Sequence, residues 1–136
     1  MFDLARDVSA HAESASFTGE RLVSPGKLSG VLELGDLVAF EGRHFGIRQT
    51  FVAKIVEMAP PRLFVDEMVR GAFQWLRHEH EFHIHANGTL MRDVLNWRAP
   101  LGIIGTIADK MFVERHMEWF VRTKQQHLKR IAEERT

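Results

Sequence analysis

Hydrophobic and polar positions follow three different rhythms along this chain. At the start, Phe2, Leu4, Ala5 and Val8 recur at helical spacing, so one helix is predicted over Phe2 to Val8. It begins at the first residue, with no room for a preceding strand. His11 to Ser16 is small and polar, which fits a second short helix or a turn. Glu20 to Val23 reads as a short strand after Thr18-Gly19. Ser24-Pro25-Gly26-Lys27 is a turn cluster, and Gly30 and Gly35 bracket a loop. From Asp36 to Arg98 the period is two. Strands are predicted over Asp36 to His44, Ile47 to Met58, Leu63 to Arg70, Gln74 to His85 and Thr89 to Arg98. Gly46 marks a bend. Ala59-Pro60-Pro61-Arg62 must turn because two prolines donate nothing to a ladder. Asn87-Gly88 is a two-residue hairpin signal. Consecutive strands joined by short turns make an antiparallel meander.

After Pro100-Leu101-Gly102 the period becomes 3.6. Ile104, Ile107, Met111, Phe112, Phe120, Val121, Leu128 and Ile131 fall broadly on one side, and no proline interrupts Gly105 to Glu133. That stretch is a helix of roughly 40 Å, long enough to cross a whole sheet. Its late basic residues, Lys124, Lys129, Arg130 and Arg135, suit the helix dipole. The pattern predicts one α+β domain over residues 1–136. A curved antiparallel sheet of about six strands wraps a long C-terminal helix.

Strand alternation separates the faces. Ile47, Phe51, Ala53 and Ile55 share a buried side with Gln49. Val38 and Phe40 place His44 on the apolar side. Phe64 and Met68 share a face with Asp66 and Arg70, Phe82 and Ile84 with His78 and His80, and Met91, Leu95 and Trp97 with Asp93. The predicted inner face is therefore apolar with a polar set inside it: His44, Gln49, Asp66, Arg70, His78, His80 and Asp93. Ionisable groups buried without partners or water are costly. A sheet interior that holds so many reads as a ligand cavity, with Phe51, Met68 and Met91 among its apolar lining.

Composition narrows the chemistry. The chain has 136 residues, 45% of them hydrophobic and 26% charged, with 18 basic and 18 acidic side chains. Net charge zero argues against a nucleic-acid binder that works by bulk attraction. No apolar run approaches the length of a membrane span, and the acidic start lacks the apolar core of a signal peptide, so a cytoplasmic protein is expected. Cysteine and tyrosine are absent. No disulfide, thiolate or phenol is available, and no phosphate loop or nucleophile elbow is present. Eight histidines remain, four of them (His78, His80, His83, His85) within one strand. Alternation turns His83 and His85 outward beside Glu79 and Glu81, and His78 and His80 inward.

The residues Arg43-His44-Phe45-Gly46, Phe64-Val65-Asp66-Glu67-Met68-Val69-Arg70-Gly71-Ala72-Phe73, His78-Glu79-His80-Glu81-Phe82, Gly88-Thr89-Leu90-Met91-Arg92-Asp93 and Pro100-Leu101-Gly102 carry a resemblance. From Gly35 to about Arg122 the chain resembles the START-like, polyketide cyclase/dehydrase superfamily. That superfamily includes carriers related to the birch-pollen allergen and coenzyme Q-binding proteins. The resemblance implies a helix-grip fold: a seven-stranded antiparallel sheet gripping a C-terminal helix, with a ligand cavity between them. This sequence departs from it where a strand normally precedes the first helix. Either the start is truncated or the sheet edge is filled otherwise, for example in a homodimer.

Two readings of function are open. In the first, the protein binds a hydrophobic small molecule such as a polyketide, lipid or quinone, without a cofactor or metal. In the second, it is a cyclase or dehydrase. His78, His80 and Asp93 are then the candidates for proton transfer, since a carboxylate orients an imidazole and raises its basicity. His78 and His80 lie about 6.5–7 Å apart along their strand. If Ala86 pairs with Thr89 across Asn87-Gly88, Asp93 falls opposite Phe82, Leu95 opposite His80 and Trp97 opposite His78. His80 and Asp93 are then diagonal neighbours, about 7–8 Å apart at the backbone. Such a pair could equally be a structural hydrogen bond. Zinc or iron chelation would need a third ligand from a neighbouring strand. Asp66 and Arg70 are expected to form an ion pair on the cavity wall. Trp75 is placed near the mouth, and one of Trp119 and Phe120 turns away from the core.

Overall fold

Among the described residues six strands pair in chain order, each antiparallel to the next: β1 (Arg21–Leu22), β2 (Leu37–His44), β3 (Ile47–Ala59), β4 (Leu63–Arg70), β5 (Phe73–His85) and β6 (Gly88–Pro100). The computed structural model describes residues 1–15, 19–44, 47–71, 73–100 and 107–135. The side chains at 44, 47, 99, 100 and 107–112 lie outside that description. Helices α1 (Phe2–Ala5) and α2 (Val8–Ser14) precede the sheet, and α3 (Ile107–Glu134) follows it. The expected bend at Gly46 falls outside the described residues. No helix among those described is long and apolar enough to cross a membrane.

The single N-terminal helix expected over Phe2 to Val8 is two helices. Asp7 divides them. Its carboxylate accepts from the amides of Ser9 and Ala10 at 2.9 and 3.1 Å and so caps α2. Its backbone bridges to Val31, and the amide of Val8 donates to Gly30 at 3.0 Å. The elbow between α1 and α2 is thereby tied to the loop before β2. His11 falls within α2.

The hairpin register also differs from expectation. Ala86 and Asn87 form the turn, and His85 pairs with Gly88. Ala86 adopts a φ of 50°. The pairing moves two residues from the expected one, which keeps every side chain on its predicted face. It brings Asp93 directly opposite His80, and Leu95 opposite His78.

Two irregularities in the β3–β4 ladder leave no mark in the alternation. Between the pairs Ile55↔Asp66 and Glu57↔Val65, Val56 has no partner. Between Ala53↔Met68 and Val52↔Arg70, Val69 has none. Each extra residue is a bulge that re-aims the strand beyond it, and both valines are exposed, at 37% and 61%. The second bulge explains a correction. Asp66 is buried, whereas Arg70 is exposed, so they form no pair on the inner wall.

The core joins the helices to the sheet. Phe2 meets Phe64 and Phe82 edge-on at 5.7 and 5.3 Å, and Val8, Leu32, Phe40, Ile55 and Leu128 close around them. Burying each large apolar side chain contributes about 1.5–3 kcal/mol. On the opposite face Arg77 reaches Glu57, Glu67 and Glu79 at 3.4–3.5 Å, as suits a solvated surface. Ile84, expected on the inner face, is 96% exposed, because it lies past the end of the core near the hairpin tip.

Candidate functional site

Between the inner face of the sheet and α3 lies a cavity of about 110 Å³. Its apolar walls come from Phe40, Phe51, Phe64, Phe73, Leu76 and Leu95 on the strands and from Phe120 and Val121 on α3. His11, Glu20, Gln49, Asp66, His78 and Lys124 give it a polar side. A dry apolar cavity of about 150 Å³ holds a benzene ring, whereas drug-sized pockets run to about 300–1,000 Å³. The volume thus matches one small ring or a short chain. A smaller adjoining cavity is lined by His78, His80, Met91, Asp93, Lys124 and Gln125.

The polar side is built from adjacent strands. Asp66 on β4 pairs with His78, and Asp93 on β6 pairs with His80. The Nε2 of His80 stands 2.8 Å from Asp66, and its Nδ1 stands 3.2 Å from Asp93. His78 donates through Nε2 to the same Asp93 oxygen at 2.8 Å. Gln125 on α3 donates to the other Asp93 oxygen at 2.5 Å. The rings hold this arrangement in a stack: His78 lies 3.9 Å from His80, and His80 lies 4.2 Å from Phe64. Beside it, Lys124 donates to Nε2 of His11, whose ring stacks on Phe40 at 5.0 Å.

Burial and pairing push these groups apart in acidity. Burial alone would lower His80, but its hydrogen bonds to Asp66 and Asp93 outweigh that and raise it. Burial lowers His78, and the neighbouring His80 charge adds to the effect; Asp93 offsets them only in part. His11 is driven well below the ordinary histidine value by burial and then by Lys124. Burial opposes the charge of Asp66 and Asp93. The histidines outweigh it in both, and Asp93 falls far below the usual carboxylate range. Lys124 is lowered by burial, which Glu20, Asp93 and Asp66 counter only partly.

Asp66, His78 and His80 place one ligand atom each within 4.8 Å of one another, the donor set of a two-histidine, one-carboxylate metal site. Their ring geometry does not suit it. Imidazoles stacked at 3.9 Å and inclined by only 24° carry in-plane lone pairs that run side by side. An ion reached by both would sit well out of each ring plane. In the structure each ring nitrogen of His80, and Nε2 of His78, faces a carboxylate oxygen at 2.8–3.2 Å.

No family model and no curated protein sequence matches this chain. A solved structure does: the crystal structure of Ara h 8.0201 superposes with a TM-score of 0.57 at 9% identity, over 94% of this chain and 87% of that one. The chain has the helix-grip fold. At that identity the likeness is one of fold alone. In a helix grip the space between sheet and C-terminal helix is where this chain places its cavity.

Of the residues singled out from sequence, Gln49, Phe51, Asp66 and His78 line the main cavity of this helix grip. His80, Met91 and Asp93 line the adjoining one. Arg70 is turned outward by the Val69 bulge, and neither it nor Met68 is among the described lining residues. The side chain of His44 lies outside the described residues. Trp75 is 40% exposed and does not line the cavity among the described residues, whereas Phe120 does and Trp119 turns outward. Sequence reasoning missed His11, Lys124 and Gln125. The helical period offered a signal for the latter two, since they follow Val121 on the stripe that ends in Leu128.

Proposed function

We propose that this protein binds a small hydrophobic molecule between its sheet and α3. The ligand is a single ring or short chain with one polar end. The observation that carries this reading is the 110 Å³ cavity itself, with apolar walls from the strands and α3 and a polar side from His11, Glu20, Gln49, Asp66, His78 and Lys124. Among polyketides, lipids and quinones, the volume favours the smallest members or fragments of each. A ligand of that size gains affinity mainly from apolar burial, and a few fixed polar groups set its orientation. The test is native mass spectrometry of protein purified from its own host. A co-purifying small apolar molecule should be present and should disappear in Leu95→Trp. Retention of the same molecule by Leu95→Trp would place it elsewhere.

A second reading, a cyclase or dehydrase working by acid–base chemistry, is favoured by one feature. His78 lines the cavity while donating to Asp93 at 2.8 Å. A neutral imidazole so oriented is built as a base. On that reading His78→Ala slows turnover by about 10²–10⁴ while ligand affinity stays within about tenfold. Equal losses in both would leave His78 a binding group only.

A further inference from the structure

Lys124 is the one lysine or arginine among the described residues that line the cavity. It projects from α3 into the space between helix and sheet and lines both cavities. An ammonium there faces the aromatic walls, including Phe40 and Phe51, a poor setting for a strongly hydrated charge. Its hydrogen-bond partner among the described residues is the half-buried imidazole of His11, whose pKa burial and the Lys124 charge hold low. Glu20, Asp66 and Asp93 act on it through space, with His78 and His80 completing the surrounding charged and titratable groups. A desolvated amine beside a proton acceptor, opening onto an apolar cavity, is the arrangement of an amine nucleophile.

We propose that Lys124 condenses with an aldehyde or ketone held in the cavity to form a protonated Schiff base. This rests on the cavity being the ligand site. His11 takes a proton from the Lys124 ammonium, and the freed amine adds to the carbonyl carbon. A carbon–nitrogen bond forms as the carbonyl π bond breaks, and the oxygen becomes a hydroxyl by taking a proton that the nitrogen sheds. That hydroxyl leaves as water when the proton returns from His11. Ammonium and carbonyl give iminium and water, so atoms and charge balance without an oxidant or reductant. The product keeps a positive charge where the ammonium stood, so Glu20, Asp66 and Asp93 favour it as they favoured the ammonium. The substrate class is a one-ring or short-chain carbonyl compound, since the volume admits little more.

The probes are benzaldehyde and benzyl alcohol, alike in size and differing in the carbonyl. The full chain is mixed with benzaldehyde, reduced with borohydride and mapped by peptide mass. A single benzyl group should appear at Lys124 about tenfold or more faster than at the exposed Lys54 and Lys129, because a desolvated amine is neutral more of the time. His11→Phe should slow that labelling, and Lys124→Met should abolish it. Benzyl alcohol, followed by NMR shifts at Leu95 and Val121, reports cavity occupancy alone. If the alcohol binds and Lys124 is labelled no faster than Lys54, the Schiff-base proposal is overturned and the cavity reading stands. If the alcohol does not bind, both fall.

Discussion

His80 lies directly across the β5–β6 ladder from Asp93, and its Nδ1 stands 3.2 Å from that carboxylate. Asp93 also accepts from His78 and Gln125, so one side chain ties two strands to α3. Removing it takes the acceptor from His78 and Gln125 and leaves the buried Nδ1 of His80 without its carboxylate, with Asp66 still on Nε2. Asp93→Ala should therefore lower unfolding free energy by about 3–5 kcal/mol in urea. Glu81→Ala, which removes the partner of the exposed His83, should stay within about 0.5 kcal/mol. Equal effects would mean that the buried cluster contributes no more than a surface pair.

Acid should weaken the fold before any carboxylate titrates. His11 and His78 have folded pKa values below their unfolded value of about 6.5. The unfolded chain therefore binds more protons at those sites, and stability falls as pH drops from about 6.5 through the folded values. His80 is raised, so its contribution is full below about 6.5 and declines only as pH rises through its folded value. Asp66 and Asp93 are lowered, and their contribution is lost only below the ordinary carboxylate range. Denaturation midpoints between pH 6.5 and 5 should fall in the wild type and fall less steeply in His78→Gln. An unchanged slope in the variant would assign the acid sensitivity elsewhere.

Filling the cavity should separate binding from stability. Leu95→Trp places a larger ring in the wall at a cost of about 1–3 kcal/mol. It should weaken the affinity for toluene at least about tenfold, a loss of roughly 1.4 kcal/mol or more. Leu34→Trp, at an exposed position, should change neither by calorimetry.

Gly26 should tolerate no side chain. A Cβ there would stand 2.3 Å from the amide nitrogen of Ala39 and 2.8 Å from the carbonyl carbon of Val38, and backbone cannot step aside as a flexible side chain can. Gly26→Ala should cost about 1–3 kcal/mol or more. Gly88→Ala, where nothing lies within 4 Å of the added atom, should fall within about 0.5 kcal/mol by thermal melting.

The fold is legible in the sequence because its signals are periodic. Alternation from Asp36 to Arg98 and the proline-free helical stretch after it specify a meander and a covering helix. Parity also puts Asp66, His78, His80 and Asp93 on one face, and parity survives the two-residue hairpin shift. The partners are not legible. Sequence spacing pairs Asp66 with Arg70, but the unpaired Val69 turns Arg70 to solvent and leaves Asp66 to His80. A bulge adds a residue without interrupting the hydrophobic content, so it leaves little trace in a pattern of two. Lys124 and His11 escape because their significance lies in meeting each other, 113 residues apart in the chain. A lysine late in a long helix reads as a dipole partner until the opposing helix is in place.

The most direct test of the cavity is a toluene titration followed through methyl resonances. The account predicts saturable shifts at Leu32, Val38, Leu76, Leu95 and Val121, which line the cavity, and none at the exposed Leu28, Leu34 and Ile84. Shifts spread evenly over exposed and lining methyls, or absent from the lining set, would contradict it.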